Sequence, residues 1–452
     1  MKKKQEKKEL IIICLLLLIS ISFMIYSIDF LSINPSKDQS HSIANPQVSD
    51  STALWTHTAG DSIEAVAISA NGEYVVSGGR DNNLYFFHKS SSTPLWNYTL
   101  PSMIYEDSLA ISADGNYIAA GAYWDGIFLF NRTNPIPIWN FTTDLGVRCV
   151  EISENGNYIV VGASNTLYFF NRSSSTPEWT NTTAGSVDSV AISSNGTYIA
   201  AAEWGNGFSL YNRSSSTPLW TYSAVASSMS IDISSDGKYI VGGSFDHHVY
   251  FFNKSSPIPM WDYDMGTYVP SVALSSNGNT IVAMSTGNLE AKLCLFNKSS
   301  SIPLWNFSAE NSGGYRDVAI SSDGSYIAIS HKESIPDAKS SIYFFEKSNS
   351  TPIWSFTDTG SYPDIKSIAL SSDASFLTAG SQNTNNTYLF SPPPHLNFFS
   401  FQIDDDNFGN SRGDNDGIID AGEVIEMELT LQNKGGIEAF NVNATISAPD
   451  KL

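Results

Sequence analysis

Asp414, Asp416, Asp420 and Glu423 fall at positions 3, 5, 9 and 12 of a twelve-residue acidic loop that has Gly417 at position 6. Carboxylate oxygens at that spacing around a glycine turn suit a hard divalent cation such as calcium. Position 1 would be Arg412, which offers no oxygen. Asp404 and Asp406, just upstream, are the candidates to supply the missing ligands. The competing reading is a solvated acidic turn. His247 and His248 form the one histidine pair, but adjacent strand residues project to opposite faces and chelate poorly. No GxSxG, HExxH or phosphate-loop motif occurs, and no Cys/His cluster has zinc spacing. The chain is therefore expected to be non-catalytic.

What must position these residues is a repeat. Trp55, Trp96, Trp139, Trp179, Trp220, Trp261, Trp305 and Trp354 are spaced 41, 43, 40, 41, 41, 44 and 49 residues apart. Most sit in a phrase such as SSSTPLW (214–220). Between them recur SVAISSNGTYIAAAE (189–203) and LYFFNRS (167–173). Each unit reads as four strands. SVAIS is followed by a tight polar turn, YIVVG is an apolar run buried on both faces, LYFFN is the third strand, and the tryptophan opens the fourth. Four short antiparallel strands per ~40–45 residues describe one propeller blade.

The ends of the array predict closure. The eighth turn phrase (371–374) is followed by two strands and then SPPP (391–394), with no tryptophan strand. ALWTHT (53–58) precedes the first unit and has no strands before it. If this spare strand completes the last blade, every blade has four strands and no sheet edge stays open.

The units resemble two related families. The SxDG turn, the apolar strand after it and loops such as GRDNN (79–83) are similar to the WD-repeat family. The tryptophan that opens the outer strand resembles the quinoprotein-dehydrogenase-like (PQQ-like) repeat. The Trp-Asp ending and Gly-His start of WD repeats are absent, and Ser-Thr-Pro replaces the glycine of the quinoprotein motif. The resemblance thus implies the fold over about residues 53–390 and no quinone cofactor. It also implies that the first strand lines the channel and that the tryptophan strand is outermost, its indoles wedging between blades.

That order puts the uniform turns, SSNG and NRSSSTP, on one face and the variable loops on the other. The variable face is expected to carry Trp124, Asp125, Glu203, Trp204, Asp246, His247, Tyr268, Tyr315, Arg316 and Tyr362. Exposed aromatics among charges resemble an interface, although local packing at the channel mouth would also account for the two tryptophans. The Asn-x-Ser/Thr sequons at Asn131, Asn171, Asn212, Asn253, Asn297 and Asn349 fall on the uniform turns. Glycans there would leave the variable face bare. The expected role is a cell-surface scaffold whose partner is a protein or glycan. The alternative is a propeller enzyme, hydrolase or quinoprotein-like, with its site at the channel mouth. Converging carboxylates of perturbed pKa would favour that alternative.

Outside the repeat, five lysines and two glutamates in residues 1–9 precede an uncharged apolar run, Leu10 to Tyr26. Its length approaches a ~30 Å hydrocarbon core and favours a single-pass anchor over residues 10–28 with a cytoplasmic N-terminus. A cleaved signal peptide is the competing reading. Residues 29–52 read as a linker and 391–397 as a proline-rich one. Residues 398–452 resemble the opening half of an Ig-like domain of exported prokaryotic proteins, through DGIIDAGE, LTLQNKG and NVNATIS. The expected whole is an all-β chain: an eight-bladed β-propeller closed by an N-terminal strand, with an N-terminal transmembrane helix and a partial C-terminal β-sandwich. The formal net charge of −21 excludes nucleic acid as a natural partner. Cys149 and Cys294 fall in different repeats and are expected not to pair.

Overall fold

The computed structural model describes residues 52–143, 145–224, 226–287, 291–309, 312–333, 339–392, 396–404 and 426–433, the last two stretches by backbone alone. The expected anchor and the acidic residues Asp406, Asp414, Asp416, Asp420 and Glu423 lie outside these residues. Among the described residues there is no helix long and apolar enough to cross a membrane.

The described residues between 52 and 392 form eight four-stranded antiparallel sheets, seven of which run from strand a inside to strand d outside in chain order. Blade 1 shows the pattern: Ile63–Ile68, Tyr74–Gly79, Asn83–His88 and Trp96–Thr99. The inner strands of consecutive blades contact one another, including Ile63–Ile68 of blade 1 with Asp364–Leu370 of blade 8, so the array is a closed ring. Blade 8 is completed as expected. Trp55–Thr58 pairs antiparallel with Asn386–Phe390, in the register Trp55↔Leu389 to Thr58↔Asn386.

Burial follows position in the blade. Strands b and c are almost wholly buried, because both their faces meet neighbouring blades, and they are correspondingly apolar or small: YIVVGA and TLYFFN in blade 3. Strand d alternates half-buried with exposed, as WTNT does in the same blade.

The tryptophans join blades, as the sequence suggests, through a specific bond. In seven of them the indole N–H donates to the carbonyl of the Lys or Arg that opens the c–d turn of the next blade. Trp96 bonds Arg132, Trp139 bonds Arg172 and Trp179 bonds Arg213, each at 2.7 Å. Trp55 bonds Lys89 at 2.8 Å across the closure. The same cation folds back over an aromatic ring of the preceding blade. Arg172 lies 4.0 Å from the Tyr117 ring, and Lys89 lies 4.8 Å from Phe376 in blade 8. In blade 3 Tyr158, Phe169 and Trp179 stack at 5.5 and 5.1 Å beneath Arg213 of blade 4.

The a–b turns form an inner counterpart. Ser235 N–H donates to Ser276 O, Ser276 to Ser322, Ser322 to Ser372, and Ser372 to Ala70 of blade 1 at 2.8 Å. Gly237 in one such turn has φ +69, and a Cβ there would lie 2.3 Å from the Tyr198 ring of the blade before. Glycine is therefore required both by conformation and by room.

Cys149 and Cys294 are free and buried, as expected. In the second unit of the chain Leu396–Asp404 pairs antiparallel with Glu426–Asn433, in the register Leu396↔Asn433 to Asp404↔Glu426. The acidic stretch therefore connects two adjacent strands.

Candidate binding face and channel

Strand order places the b–c and d–a loops together at one end of the channel. Four of the expected residues are exposed there: Trp124 at 68%, Tyr362 at 65%, Trp204 at 51% and Tyr268 at 45%. Two aromatic groups organise this face. Tyr105, Tyr123 and Trp124 form one, with ring centroids 5.1 and 4.4 Å apart. In the other, Trp204 and Tyr268 meet the two sides of Phe245 at 5.4 and 4.8 Å, and His247 lies 5.4 Å from Tyr268. Tyr123 and Phe245 were missed from sequence. They are direct neighbours of residues chosen there, and the signal was an aromatic at the first loop position after strand b.

Other expected residues have structural work. Tyr315 is 1% exposed and belongs to the core, because it lies within the inner strand Ser312–Ile320 and packs in one cluster with Val318 and Ile329; its hydroxyl accepts from Ala309 N–H. Glu203 is 1% exposed and accepts from Asn206 and from the Tyr211 hydroxyl. Asp246 accepts from the Tyr250 hydroxyl at 2.8 Å and from His248 N–H, which fixes the b–c turn. Tyr315 and Glu203 are corrections to the expected face, whereas Asp246 stays half-buried in its b–c loop. Asp125, half-buried, keeps its place in a b–c loop. Arg316 lies inside the mouth and grips Asp364 through Nε and Nη2 at 3.0 and 3.2 Å, where Lys332 joins at 2.8 Å. His247 and His248 diverge, though not by strand alternation: His248 opens strand c and its Nδ1 is 2.9 Å from Asp262, while His247, at φ 78, belongs to the b–c turn and lies against Tyr268.

The channel holds carboxylates that the sequence reading did not single out. Six inner strands carry alanine at their last position but one, where blade 3 has Glu151 and blade 5 has Asp232, paired with Val160 and Val241 in the equivalent register. At this position the side chain turns toward the next blade, as Ala110 does toward Val150 of blade 3 and Asp232 toward Leu274 of blade 6. Burial, and then the charge of Asp232, raises the Glu151 carboxyl to about 8. Burial lifts Asp232 to about 6 and, with Glu106, lifts Asp107 to about 6. Burial and then Asp107 lift Asp317 to about 7. Asp107 precedes the inner strand of blade 2 and Asp317 is on blade 7, so the effect of Asp107 on Asp317 crosses the channel. Asp107 and Glu151 are exposed by accessible surface, so the direction of their upward shifts is set by the surrounding protein mass and neighbouring acids. At the mouth Lys366 of blade 8 reaches Glu106 of blade 2 at 2.8 Å, past blade 1. Asp317 accepts from Ile368 and Val318 N–H at 2.9 and 2.8 Å, and Asp232 from Leu274 and Ile233 N–H, both at 2.7 Å. These two acids staple one blade to the next. Among the described residues no three Asp, Glu, His or Cys side chains are grouped to hold a metal ion.

The uniform face explains its own sequons. Asn131, Asn171, Asn212, Asn253 and Asn297 each accept, through Oδ1, from both the N–H and the hydroxyl of the Ser or Thr two residues on. Asn-x-Ser is thus the chemistry of this turn, whether or not a sugar is attached.

An eight-bladed ring of four-stranded sheets is a β-propeller. The family described as WD domain, G-beta repeat, matches residues 51–88 and 216–253, which cover the closing strand with most of blade 1 and the outer strand of blade 4 with most of blade 5. No curated protein matches the chain. Propellers of this type are commonly protein-interaction scaffolds.

Proposed function

We propose that the chain is a membrane-anchored, cell-surface binding propeller that offers its variable face to a protein or glycan partner and performs no chemistry itself. The observation that carries this reading is the concentration of Trp124, Trp204, Tyr268 and Tyr362 at one end of the channel, each exposed and three of them buttressed by other rings. Large rings held rigidly at a surface gain contact area at little entropic cost. In this reading residues 10–28 anchor the chain in the cell membrane. Residues 398–452 begin an Ig-like β-sandwich, whose acidic loop, from Asp404 and Asp406 to Glu423, takes calcium. The antiparallel pairing of Leu396–Asp404 with Glu426–Asn433 supports the sandwich.

The test is affinity capture with the full chain in detergent, wild type against Trp124→Ala/Trp204→Ala. Loss of the captured partner in the double variant is the expected result. Identical partners in both would remove the assigned face.

The channel carboxylates favour the alternative, a site for acid chemistry. Against it, Asp232 and Asp317 are occupied by backbone N–H groups, and burial alone accounts for the direction of every shift.

A further inference from the structure

A second surface, at the opposite end, is unexplained by blade packing. Leu54, Leu95, Ile138, Leu219, Met260 and Leu304 occupy the position just before the blade tryptophan and are 48–57% exposed. Ile136, Ile258 and Ile302, two residues earlier, are 69–75% exposed. Each tryptophan of these units turns inward to the next blade, so its neighbour must turn outward. Only the position is dictated, however, and a serine would satisfy it. In blade 3 the residue is Glu178, and in blade 7 Ile353 is half-buried. The result is a collar of aliphatic side chains at the c–d end of the ring.

Charge is partitioned along the same axis. Residues 53–390 contain 15 Lys/Arg and 29 Asp/Glu. Eight of each sign fall in the a–b and c–d turns and their flanking residues, so the collar end is neutral in sum. The other seven Lys/Arg and 21 Asp/Glu fall on the remaining strand positions and on the b–c and d–a connections. The net negative charge therefore belongs to the rest of the propeller, away from the collar.

The chain also enters here. Leu54 N–H bonds Leu389 O, so the described chain begins, at residue 52, beside the collar end. The apolar run ending at Tyr26 lies 27 residues before Ala53 in the sequence.

We propose that the collar end rests on a lipid bilayer, its aliphatic side chains in the interfacial layer and the acidic variable face turned to water. Exposed aliphatics on a neutral surface gain from the interface, while the acidic end is repelled by anionic headgroups. The proposal draws on the anchor reading for support but is tested separately from it.

The full chain, with Cys14→Ser and the buried Cys149 and Cys294 retained, is reconstituted into phosphatidylcholine vesicles containing a spin-labelled lipid. An environment-sensitive fluorophore is placed at Ile302→Cys or, in a second sample, at Tyr362→Cys. Flotation reports the anchor, and quenching reports the collar. Quenching at position 302 at least about threefold that at 362 is expected, with Ile258→Ser/Leu304→Ser lowering it. Flotation with equal quenching at the two positions overturns the collar and leaves the anchor standing. No flotation overturns both. A label at 302 shielded without lipid, or glycans found on Asn253 and Asn297, also overturns the proposal, since another cover would then occupy this end.

Discussion

The Tyr250 hydroxyl donates to Asp246 at 2.8 Å, and Tyr85 makes the same bond to Asp81 at 2.6 Å. Both aspartates sit in a b–c loop and both tyrosines on the strand that follows. These pairs lie in blades 1 and 5, within the two segments that match the WD repeat family. Burial, and then the aspartate, raises the Tyr85 hydroxyl to about 12 and shifts Tyr250 in the same direction, so each tyrosine stays a donor. Tyr250→Phe should cost about 1.5–3 kcal/mol, the range for a hydrogen bond to a charged group. Urea unfolding of Tyr250→Phe, Asp246→Ala and the double variant measures it. Strictly additive losses would show that the two side chains do not act together.

The indole bonds between blades separate two contributions. Trp179→Phe keeps the ring contacts with Phe169 but loses the bond to Arg213 O, and should cost about 1 kcal/mol. Trp179→Ala also opens a cavity and should cost about 3–5 kcal/mol. Equal losses in thermal or denaturant unfolding would mean that the N–H bond, not the ring, joins the blades.

Glu151 predicts a pH dependence. Its carboxyl is raised to about 8, so the folded chain holds a proton that the unfolded chain releases above its ordinary range. Stability from this group is therefore greatest in acid and falls as pH rises toward and past about 8. Glu151→Gln should raise the melting temperature at alkaline pH and change it little in mild acid. The same gain at both ends of a pH series would contradict the assignment.

His331 acts in the opposite sense. It is wholly buried, neither ring nitrogen has a hydrogen-bond partner, and burial lowers it to about 4. Stability from the neutral ring is complete above about 6.5 and is lost as pH falls toward about 4, a contribution on the order of 3 kcal/mol. His331→Phe should remove this acid sensitivity, as read from melting temperatures at mildly acidic and neutral pH.

Closure makes the last prediction. Removing residues 53–58 strips Asn386–Phe390 of its partner strand and exposes an unpaired edge. Light scattering should then show association at concentrations where the intact chain is monodisperse. A monodisperse, equally stable truncation would mean that the closing strand is dispensable.

The blade count, strand order and closing strand were legible because Trp55 to Trp354 and the turn phrases repeat, and each repeat obeys one set of contacts. The face was legible in part. Trp124 and Trp204 stand off the repeat and are exposed, as a loop tryptophan with no blade to wedge must be. Tyr315 and Glu203 were misplaced because loop and strand end meet there, and one residue of register decides between water and core. Glu151 and Asp232 escaped notice because each looks like an ordinary charged substitution in its own strand. Only the ring places blades 3 and 5 around a common axis, and only that placement makes the acids neighbours.

The pairing at the seam has a directional consequence. The start of Trp55–Thr58 lies beside the end of Asn386–Phe390, so the two chain ends depart from the same point. Tension between an anchored N-terminus and a load on the C-terminal side would act across that point and part the four residue pairs in succession, beginning at Trp55 and Leu389. Strands pulled lengthwise past each other must break all their bonds together, whereas these open like a zip. The junction that seals the ring is thus its weakest against pulling, and under force the eighth blade is expected to give way before any other.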